Sequence, residues 1–193
     1  MQLIIATNNA KKVEEFQRIL SPFGIETISM KQAGIDIDID ETGATFAENS
    51  LIKAKEIFKI TEKPTVADDS GLCVDALGGR PGVYSAVYQG DAPYPEKIAA
   101  LLGELSGVPE AERTARFECV ITCVLGGDDV FQCAGTCEGI IGDKPAGGGG
   151  FGYDPVFMVG NKSFAQLTGE EKDAISHRGK ALRSLAKELK NRI

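Results

Sequence analysis

Strand-like and helix-like apolar patterns follow one another through the first sixty residues. A β-branched run over 2–6 leads through a polar turn into helical spacing over 13–20, and a second strand is predicted over 25–30. Isoleucine and aspartate then alternate strictly over 35–40, which fits either a half-exposed edge strand or an extended loop. An apolar stripe over 45–60 predicts a second helix. This part of the chain is therefore expected to alternate between strand and helix.

Two adjacent carboxylates interrupt the next strand-like run. Residues 65–67 read as a short buried strand, Asp68 and Asp69 follow at once, and another apolar run covers 72–77. Acidic doublets are common in solvated turns, but site residues of α/β folds often lie where a strand ends. Asp68 and Asp69 are therefore expected at the end of a strand.

The second half of the chain is predicted to be richer in β-structure. Helical spacing over 98–105 precedes two strand-like runs, over 117–125 and 130–137, which flank a glycine-aspartate turn and predict an antiparallel hairpin. A third strand near 139–141 is expected to extend it. The last helix is predicted to begin near Ser176.

Composition excludes several classes of function. The 193 residues, 42% of them apolar, can bury one substantial core, so a single domain over 1–193 is expected. A formal charge of -7 argues against a nucleic-acid polymer as partner. No apolar stretch reaches the roughly 20 residues of a membrane span, so no membrane partner is expected. Five cysteines without two-residue spacing indicate reduced thiols, and a cytoplasmic location is expected.

A polar turn precedes the first predicted helix. It reads Thr7, Asn8, Asn9, Ala10, Lys11, Lys12. Its side chains and the free N–H groups of a helix start form an environment that attracts phosphate. The turn lacks the glycines of a Walker-type phosphate loop. An asparagine cap with solvated lysines is the alternative interpretation.

The acidic doublets Asp40-Glu41 and Asp68-Asp69 are the best candidates for metal chemistry. Hydrolysis of a phosphoanhydride needs a cation that offsets charge on oxygen and a base that orients water. Solvated turns are the alternative for each doublet taken alone. The position of the second doublet beside a buried strand favours a functional role.

His177 is the only histidine of the chain, and it lies beside Arg178 near the predicted start of the last helix. One histidine cannot form a multi-histidine metal site. An arginine can donate two hydrogen bonds to O6 and N7 of a purine, and its donors would oppose the amino group of adenine. Arg178 is therefore a candidate reader of 6-oxo purines, with a helix cap and a solvated arginine as the alternative.

Glycine is concentrated over 144–154, which fits either a loop wrapped around a ligand or a flexible surface connection. Phe151 and Tyr153 in this segment could stack on a base, with Asp154 as an acceptor nearby. Ordinary packing of the two aromatic rings in the core is the alternative.

Six motifs stand in order along nearly the whole chain. They read TNNAKK at 7–12, DETGATFAENSLIKA at 40–54, ADDSGL at 67–72, GGRPGVYSA at 78–86, GGFGYDP at 149–155 and EEKDAISHRGKAL at 170–182. Each motif is weakly specific by itself. Together, in this order and at these separations, they resemble the inosine triphosphate pyrophosphatase family, and its bacterial members in particular.

The resemblance implies an elongated α/β fold in which a long mixed sheet forms the floor of a cleft between two lobes, usually in a homodimer. It also implies a Mg²⁺-dependent hydrolysis at the α-phosphate of deaminated purine nucleoside triphosphates such as ITP, dITP and XTP. The products would be the nucleoside monophosphate and pyrophosphate. Such an enzyme would keep deaminated bases out of DNA and RNA.

The resemblance further implies roles for individual residues. Asp69 matches the general base and a magnesium ligand, and Ser70 beside it would contact the substrate. The pair Asp40-Glu41 matches the family's other metal-binding carboxylate, but the family usually has Glu at position 40, so either Asp40 or Glu41 could be the ligand. The other implied substrate-binding residues are Thr7, Asn8, Asn9, Ala10, Lys11, Lys12, Phe151, Gly152, Tyr153, Asp154, Lys172, His177 and Arg178.

The chain departs from the family pattern at position 87. Val87 stands where the family commonly has arginine, so phosphate affinity or substrate range could differ.

Two other functions are disfavoured by the sequence. A related pyrophosphatase for modified pyrimidine nucleotides is disfavoured by the pair His177-Arg178 beside an aromatic glycine loop. A nucleotide-binding regulator without catalysis is disfavoured because the candidate metal carboxylates are all present.

Overall fold

The computed structural model describes residues 1–192 as a mixed α/β fold. Its strands are β1 (Gln2–Ile5), β2 (Glu26–Ser29), β3 (Thr65–Val74), β4 (Arg80–Pro81), β5 (Thr114–Val124), β6 (Val130–Ile141), β7 (Phe157–Val159) and β8 (Lys162–Ser163). Its α-helices are α1 (Ala10–Leu20), α2 (Phe46–Thr61), α3 (Tyr94–Glu104), α4 (Gly169–Ile175) and α5 (His177–Arg192).

The strands form one mixed sheet in the order β2-β1-β3-β5-β6-β7-β8, with β4 paired to β3. Strand β1 runs parallel to β2 and to β3. The pairs β3–β4, β6–β7 and β7–β8 are antiparallel. The α/β class and the mixed sheet expected from the sequence are therefore confirmed.

The chain divides into two compact units. The first contains Met1–Asp69, Cys119–Gly135 and the chain from His177 onward, and the second contains Ser70–Glu118 and Thr136–Ser176. Each unit has its own buried apolar cluster or clusters. Whether the two units behave as the single domain expected over 1–193 stays a prediction.

The first unit buries β1 on both faces. Leu3 and Ile5 lie in a core cluster with residues of α1 and α5, whereas Ile4 and Ala6 lie in a cluster with residues of α2. Successive side chains of a strand point to opposite faces, so helices on both sides leave no solvated face. The uninterrupted apolar run at the start of the sequence follows from this arrangement.

The second unit is built around an aromatic cluster. The rings of Phe117 and Phe157 lie 4.7 Å apart between centroids, and those of Phe157 and Phe164 lie 4.8 Å apart, both edge to face. Leu101 of α3 and Tyr153 belong to the same core cluster. The cluster thus anchors the end of the glycine-rich segment.

Several local predictions need correction. Asp68 and Asp69 lie inside the continuous strand β3 and not at a strand end. Residues 139–141 continue β6 and do not form a third strand. Over 35–40 the extended loop, and not the edge strand, is observed.

The predicted hairpin is present, since β5 and β6 are neighbours in the sheet. No helix within residues 1–192 has the length and apolar character needed to cross a membrane.

Candidate active site

Asp68 and Asp69 point to opposite faces of β3, because side chains alternate along a strand. Val66 lies in the core cluster with α1 and α5, and Ala67 lies in the cluster with α2. Asp68 shares the face of Val66, and Asp69 shares the face of Ala67. The two neighbouring carboxylates therefore meet different helices.

Asp68 lies in a buried network of ion pairs. Its Oδ2 accepts hydrogen bonds from Nε and Nη2 of Arg178, at 3.1 and 2.7 Å, and lies 3.1 Å from Nζ of Lys12. Nη1 of Arg178 donates to Oε2 of Glu15 at 2.5 Å. Burial acts to raise the pKa of Asp68, but Arg178 and Lys12 outweigh it and hold that pKa well below its usual range. Asp68 is therefore ionised at any physiological pH.

The same network determines where Arg178 can act. Arg178 is 1% exposed, and three of its nitrogens already donate to Asp68 and Glu15. Direct reading of O6 and N7 of a purine requires two donors presented together to the ligand. In the observed arrangement those donors bind carboxylates, so a direct contact with a base would require this network to rearrange.

Asp69 lies between two side chains of α2. Its Oδ1 accepts a hydrogen bond from Nζ of Lys53 at 3.1 Å, and its Oδ2 accepts one from Nδ2 of Asn49 at 3.3 Å. The same ammonium of Lys53 donates to Oε1 of Glu41 at 3.0 Å. Burial raises the pKa of Asp69 to about 6; Lys53 acts against this shift and Glu41 adds to it. Asp69 can therefore exchange a proton close to neutral pH.

The contrast between the two aspartates selects the candidate base. A general base works best when its pKa is near the operating pH. The raised pKa of Asp69 meets this condition, whereas the lowered pKa of Asp68 does not. Burial acts to lower the pKa of Lys53, but the nearby carboxylates outweigh it and raise that pKa. Lys53 is therefore a fixed cation beside Asp69, suited to an anionic substrate.

The donor set near Lys53 fits a hard divalent cation. Oxygens of Glu41 and Asp69 both lie within hydrogen-bond distance of the Lys53 ammonium, so the two carboxylates face the same small space and would be the residues that hold a cation there. Among residues 1–192, no group of three His, Cys, Asp or Glu side chains gathers to form a complete metal site. Mg²⁺ is commonly held by one or two carboxylates, with phosphate oxygens and water as further ligands. Asp40 is exposed, whereas Glu41 points to this cluster.

The polar turn before α1 is organised by its own side chains. Oδ1 of Asn9 accepts hydrogen bonds from the backbone N–H groups of Lys11 and Lys12, at 3.0 and 3.3 Å, as an N-cap. Oγ1 of Thr7 accepts from the N–H of Asn9, and Nδ2 of Asn8 donates to the carbonyl of residue 37. The capping interpretation is thus observed. Lys12 is the residue of this turn that reaches the Asp68 network.

Ala10 begins α1, and Lys11 forms an exposed pair with Glu14 at 3.2 Å. An exposed pair of this kind contributes little to stability. Nothing in that contact prevents Lys11 from turning toward a ligand.

In the second unit, Lys172 gathers the predicted base-binding residues. Its Nζ donates to Oδ2 of Asp154 at 2.6 Å and lies 4.6 Å from the ring centroid of Phe151. The N–H of Phe151 donates to the same Oδ2 at 2.9 Å. A Cβ added at Gly150 would come 2.1 Å from that oxygen, and Gly150 has φ +69°. The glycine therefore permits the close turn that holds Asp154.

The remaining candidates of the second unit differ in exposure. Tyr153 is buried, and its hydroxyl donates to the carbonyl of Ser85 at 3.1 Å, as expected of core packing and not of a stacking face. Gly152 and Ser70 are partly exposed. Phe151 is also partly exposed, so it is the aromatic ring of this segment that is available to stack on a base.

His177, in the first unit, is buried at the start of α5. Its carbonyl oxygen would lie 2.2 Å from a Cβ placed on Gly135 of β6. The start of α5 is therefore held directly against the sheet, which positions Arg178 next to Asp68.

Comparison with known proteins identifies the family. The Ham1 family model matches residues 3–188. The chain belongs to the Ham1 family. The resemblance noted in the sequence motifs is thereby confirmed, since a curated relative from Shigella flexneri, named dITP/XTP pyrophosphatase, is 47% identical over 98% of each chain.

Solved Ham1 structures share the fold over the full length. The Ham1 protein of Staphylococcus aureus superposes with a TM-score of 0.88 at 38% identity and covers 100% of both chains. A HAM1 protein of Coxiella burnetii gives a TM-score of 0.89 at 40% identity over 99% of both chains. The protein thus has the Ham1 fold.

Three residues of this Ham1 site were not assigned a role from the sequence. Asn49 and Lys53 lie one helical turn apart on the polar face of α2 and both contact Asp69. Glu15 lies on α1 and pairs with Arg178. The sequence did contain a signal for two of them. Asn49 and Lys53 are spaced i, i+4, so they share one face of the predicted helix that follows the acidic doublet Asp40-Glu41.

Proposed function

We propose that this protein hydrolyses deaminated purine nucleoside triphosphates, such as dITP, ITP and XTP, to the nucleoside monophosphate and pyrophosphate. The observation that carries the proposal is Asp69, a buried carboxylate whose pKa is raised to about 6 and which Lys53 and Asn49 hold in place. The substrate class follows from the name of relatives such as that of Shigella flexneri. By this reaction the protein would remove deaminated nucleotides before they enter DNA or RNA.

The reaction assigns a distinct task to each group. Asp69 accepts a proton from the attacking water as the water oxygen forms a bond to the α-phosphorus. The bond between the α-phosphorus and the bridging oxygen breaks, and pyrophosphate leaves. Lys53 and Lys12 offset negative charge on the phosphate oxygens.

Mg²⁺ is the proposed cofactor, with Glu41 and Asp69 as its protein ligands and Asp40 as the exposed neighbour in the same acidic doublet. The ion would supply positive charge to the phosphate oxygens. Hard oxygen donors, and a chain with a single histidine, support this choice over a softer metal.

The substrate contacts proposed from the sequence divide by the two units. In the first unit they are Thr7, Asn8, Asn9, Ala10, Lys11, Lys12, His177 and Arg178, and in the second they are Ser70, Phe151, Gly152, Tyr153, Asp154 and Lys172. For Arg178 and Tyr153 the observed burial supports a role in holding their neighbours in place. Phe151, with Lys172 beneath its ring, is the proposed stacking face for the base.

A homodimer and a cytoplasmic location complete the proposal. Tyr84 and Val87 of the second unit are 63% and 62% exposed, and such large apolar side chains suit contact with a second copy. The cysteines are free and buried, as expected in a reducing compartment. Light scattering after size exclusion would measure the mass in solution, and a monomer at micromolar concentration would contradict the dimer.

A product assay tests the activity. The purified protein is incubated with dITP, ITP, XTP, dGTP, ATP and a pyrimidine triphosphate, with Mg²⁺ or with excess EDTA, and pyrophosphate and orthophosphate are measured separately. We expect pyrophosphate from the three deaminated purines, much lower specificity constants for ATP, and no turnover in EDTA. Equal specificity constants for ATP and ITP, or full activity in EDTA, would contradict the proposal.

A further inference from the structure

The side chain of Asn49 connects two parts of the candidate site. Its Oδ1 accepts a hydrogen bond from the backbone N–H of Gly43 at 2.8 Å, and its Nδ2 donates to Oδ2 of Asp69 at 3.3 Å. A backbone N–H can only donate, so the amide oxygen of Asn49 must face Gly43. The amide nitrogen is therefore directed at Asp69, and we call this pair of contacts the Asn49 bridge.

The backbone next to Gly43 is also held by α2. The N–H groups of Ala44 and Thr45 both donate to Oε2 of Glu48, at 2.7 and 3.1 Å, and the Thr45 bond is part of a capping box. Three successive amides, from Gly43 to Thr45, are thus bound by side chains of the first turn of one helix. This segment begins two residues after Glu41, so its position limits where the Glu41 carboxylate can lie.

Gly43 is required for this close approach. A Cβ at Gly43 would lie 2.6 Å from Cβ of Glu48 and 2.7 Å from Oδ1 of Asn49. Both distances are shorter than nonbonded carbon contacts allow, so an alanine would displace the loop or the amide. The Asn49 bridge can therefore be disrupted by a substitution at Asn49 or by one at Gly43.

We propose that Asn49 is a positioning residue that sets the separation of the Glu41 and Asp69 carboxylates and so prepares them to bind one divalent cation. This inference rests on the proposed function, because it takes these two carboxylates as the metal ligands. Groups that orient metal ligands typically change metal affinity or activity by about 10-fold to 100-fold when they are removed. The side-chain amide of Asn49 hydrogen-bonds to Asp69 and to the loop that follows Glu41, so its effect is expected to pass through these two carboxylates.

The attachment of α2 to the sheet does not depend on Asn49. Oγ of Ser50 lies 2.7 Å from Oγ1 of Thr122, and Nε2 of Gln132 donates both to Thr122 and to the carbonyl of Ala47. This polar chain holds the start of α2 from another side. Gln132→Ala is therefore a matched control, because it loosens the helix start and leaves the Asn49 bridge intact.

The first measurement uses the free protein without nucleotide. Mn²⁺, as a paramagnetic substitute for Mg²⁺, is titrated into the parent, Asn49→Ala, Gly43→Ala, the double variant and Gln132→Ala, with detection by electron paramagnetic resonance. We expect Asn49→Ala and Gly43→Ala each to weaken Mn²⁺ binding by about 10-fold or more, and the double variant to be no weaker than the poorer single variant. Gln132→Ala should bind Mn²⁺ like the parent.

The second measurement separates kcat from KM for dITP at saturating Mg²⁺, with a thermal melt of each variant. Asn49→Ala should lower kcat about 10-fold to 100-fold with little change in KM, since Lys12 and Lys53 still bind phosphate. Mn²⁺ affinity and kcat within twofold of the parent in folded Asn49→Ala would overturn the inference. An equal loss in Gln132→Ala would also overturn it. A parent that binds Mn²⁺ but does not cleave dITP would refute the proposed function alone.

Discussion

At the scale of single residues, Asp68 and Asp69 show how a strand separates two neighbouring carboxylates. Asp68 meets Arg178 and Lys12, which keep it charged, whereas Asp69 meets one lysine, one amide and a second carboxylate. Two acids with environments that shift their pKa values in opposite directions are typical of an acid–base site. Substitution of Asp69 is therefore expected to affect catalysis, and substitution of Asp68 is expected to affect stability.

Asp69→Asn should greatly slow catalysis without unfolding the protein. The amide retains the shape of the side chain but cannot accept a proton, and it is a weaker metal ligand. Loss of a general base typically lowers the rate about 100-fold to 10,000-fold. Since burial disfavours the charged form of Asp69, the melting temperature at pH 7.5 should not fall. Single-turnover hydrolysis of ITP measures the rate, and a folded variant within about threefold of the parent would exclude Asp69 as the base.

The pH dependence of kcat/KM should report the same group. Asp69 must be deprotonated to act, and its pKa is raised to about 6, so kcat/KM should rise with pH through about 6 and level off above it. A nearby cation stabilises the carboxylate, so the midpoint should move to lower pH as Mg²⁺ increases. Rates from pH 4.5 to 8.5 at two Mg²⁺ concentrations test this, and a flat profile would contradict it.

Asp68→Asn should destabilise the fold, in contrast to Asp69→Asn. Removing one partner of a buried ion pair typically costs about 3–5 kcal/mol, because Arg178 would keep its buried charge after losing the Asp68 carboxylate. The pKa of Asp68 is lowered in the folded state, so its contribution is present above its unfolded pKa near 3.8 and is lost as pH falls below that value. Urea unfolding at pH 7 and pH 3 should show a stability difference from the parent that shrinks at pH 3.

At the scale of elements, the approach of α5 to β6 depends on Gly135. A Cβ there would lie 2.2 Å from the carbonyl oxygen of His177 and 2.7 Å from the backbone nitrogen of Ala181. Both are backbone atoms of α5, so they cannot move aside as a flexible side chain could. The helix that carries Arg178 would have to shift.

Gly135→Ala should therefore lower the free energy of unfolding by about 1–3 kcal/mol, the usual cost of overpacking. Gly126→Ala is the control, because a Cβ at Gly126 would meet no atom within 4 Å. Urea denaturation compares the two variants with the parent. Equal stability of both variants would show that α5 does not press on β6 as observed.

At the scale of the whole molecule, all five cysteines are free and buried. Cys119, Cys123 and Cys133 belong to the core of the first unit, and Cys137 to that of the second. Burial raises the pKa of Cys119, Cys123 and Cys73, so the reactive thiolate is disfavoured.

A thiol assay should therefore find no rapidly reacting cysteine in the native protein and five after unfolding in guanidinium chloride. The reagent is an aromatic disulfide whose release is followed by absorbance. Fewer than five thiols in the unfolded, unreduced protein would indicate a disulfide and contradict the free-thiol interpretation.

The order of the elements in the first sixty residues and the family were predictable from the sequence, because both depend on local patterns. A continuous β-branched run predicted β1, period-3.6 apolar spacing predicted α1 and α2, and six ordered motifs indicated the family and the candidate residues. Helix capping also depends on neighbouring residues alone. The position of Asn9 directly before α1 was therefore enough to suggest that it is the N-cap.

The tertiary structure decided how distant side chains meet. The sequence placed Asp68 and Asp69 at a strand end, whereas β3 continues through them because charged partners from α1, α2 and α5 compensate both buried carboxylates. Those partners lie up to 110 residues away along the chain, and no periodic pattern reports such pairs. The pKa values, the burial of Arg178 and the Asn49 bridge arise from these long-range contacts, which form only when the helices pack on the sheet.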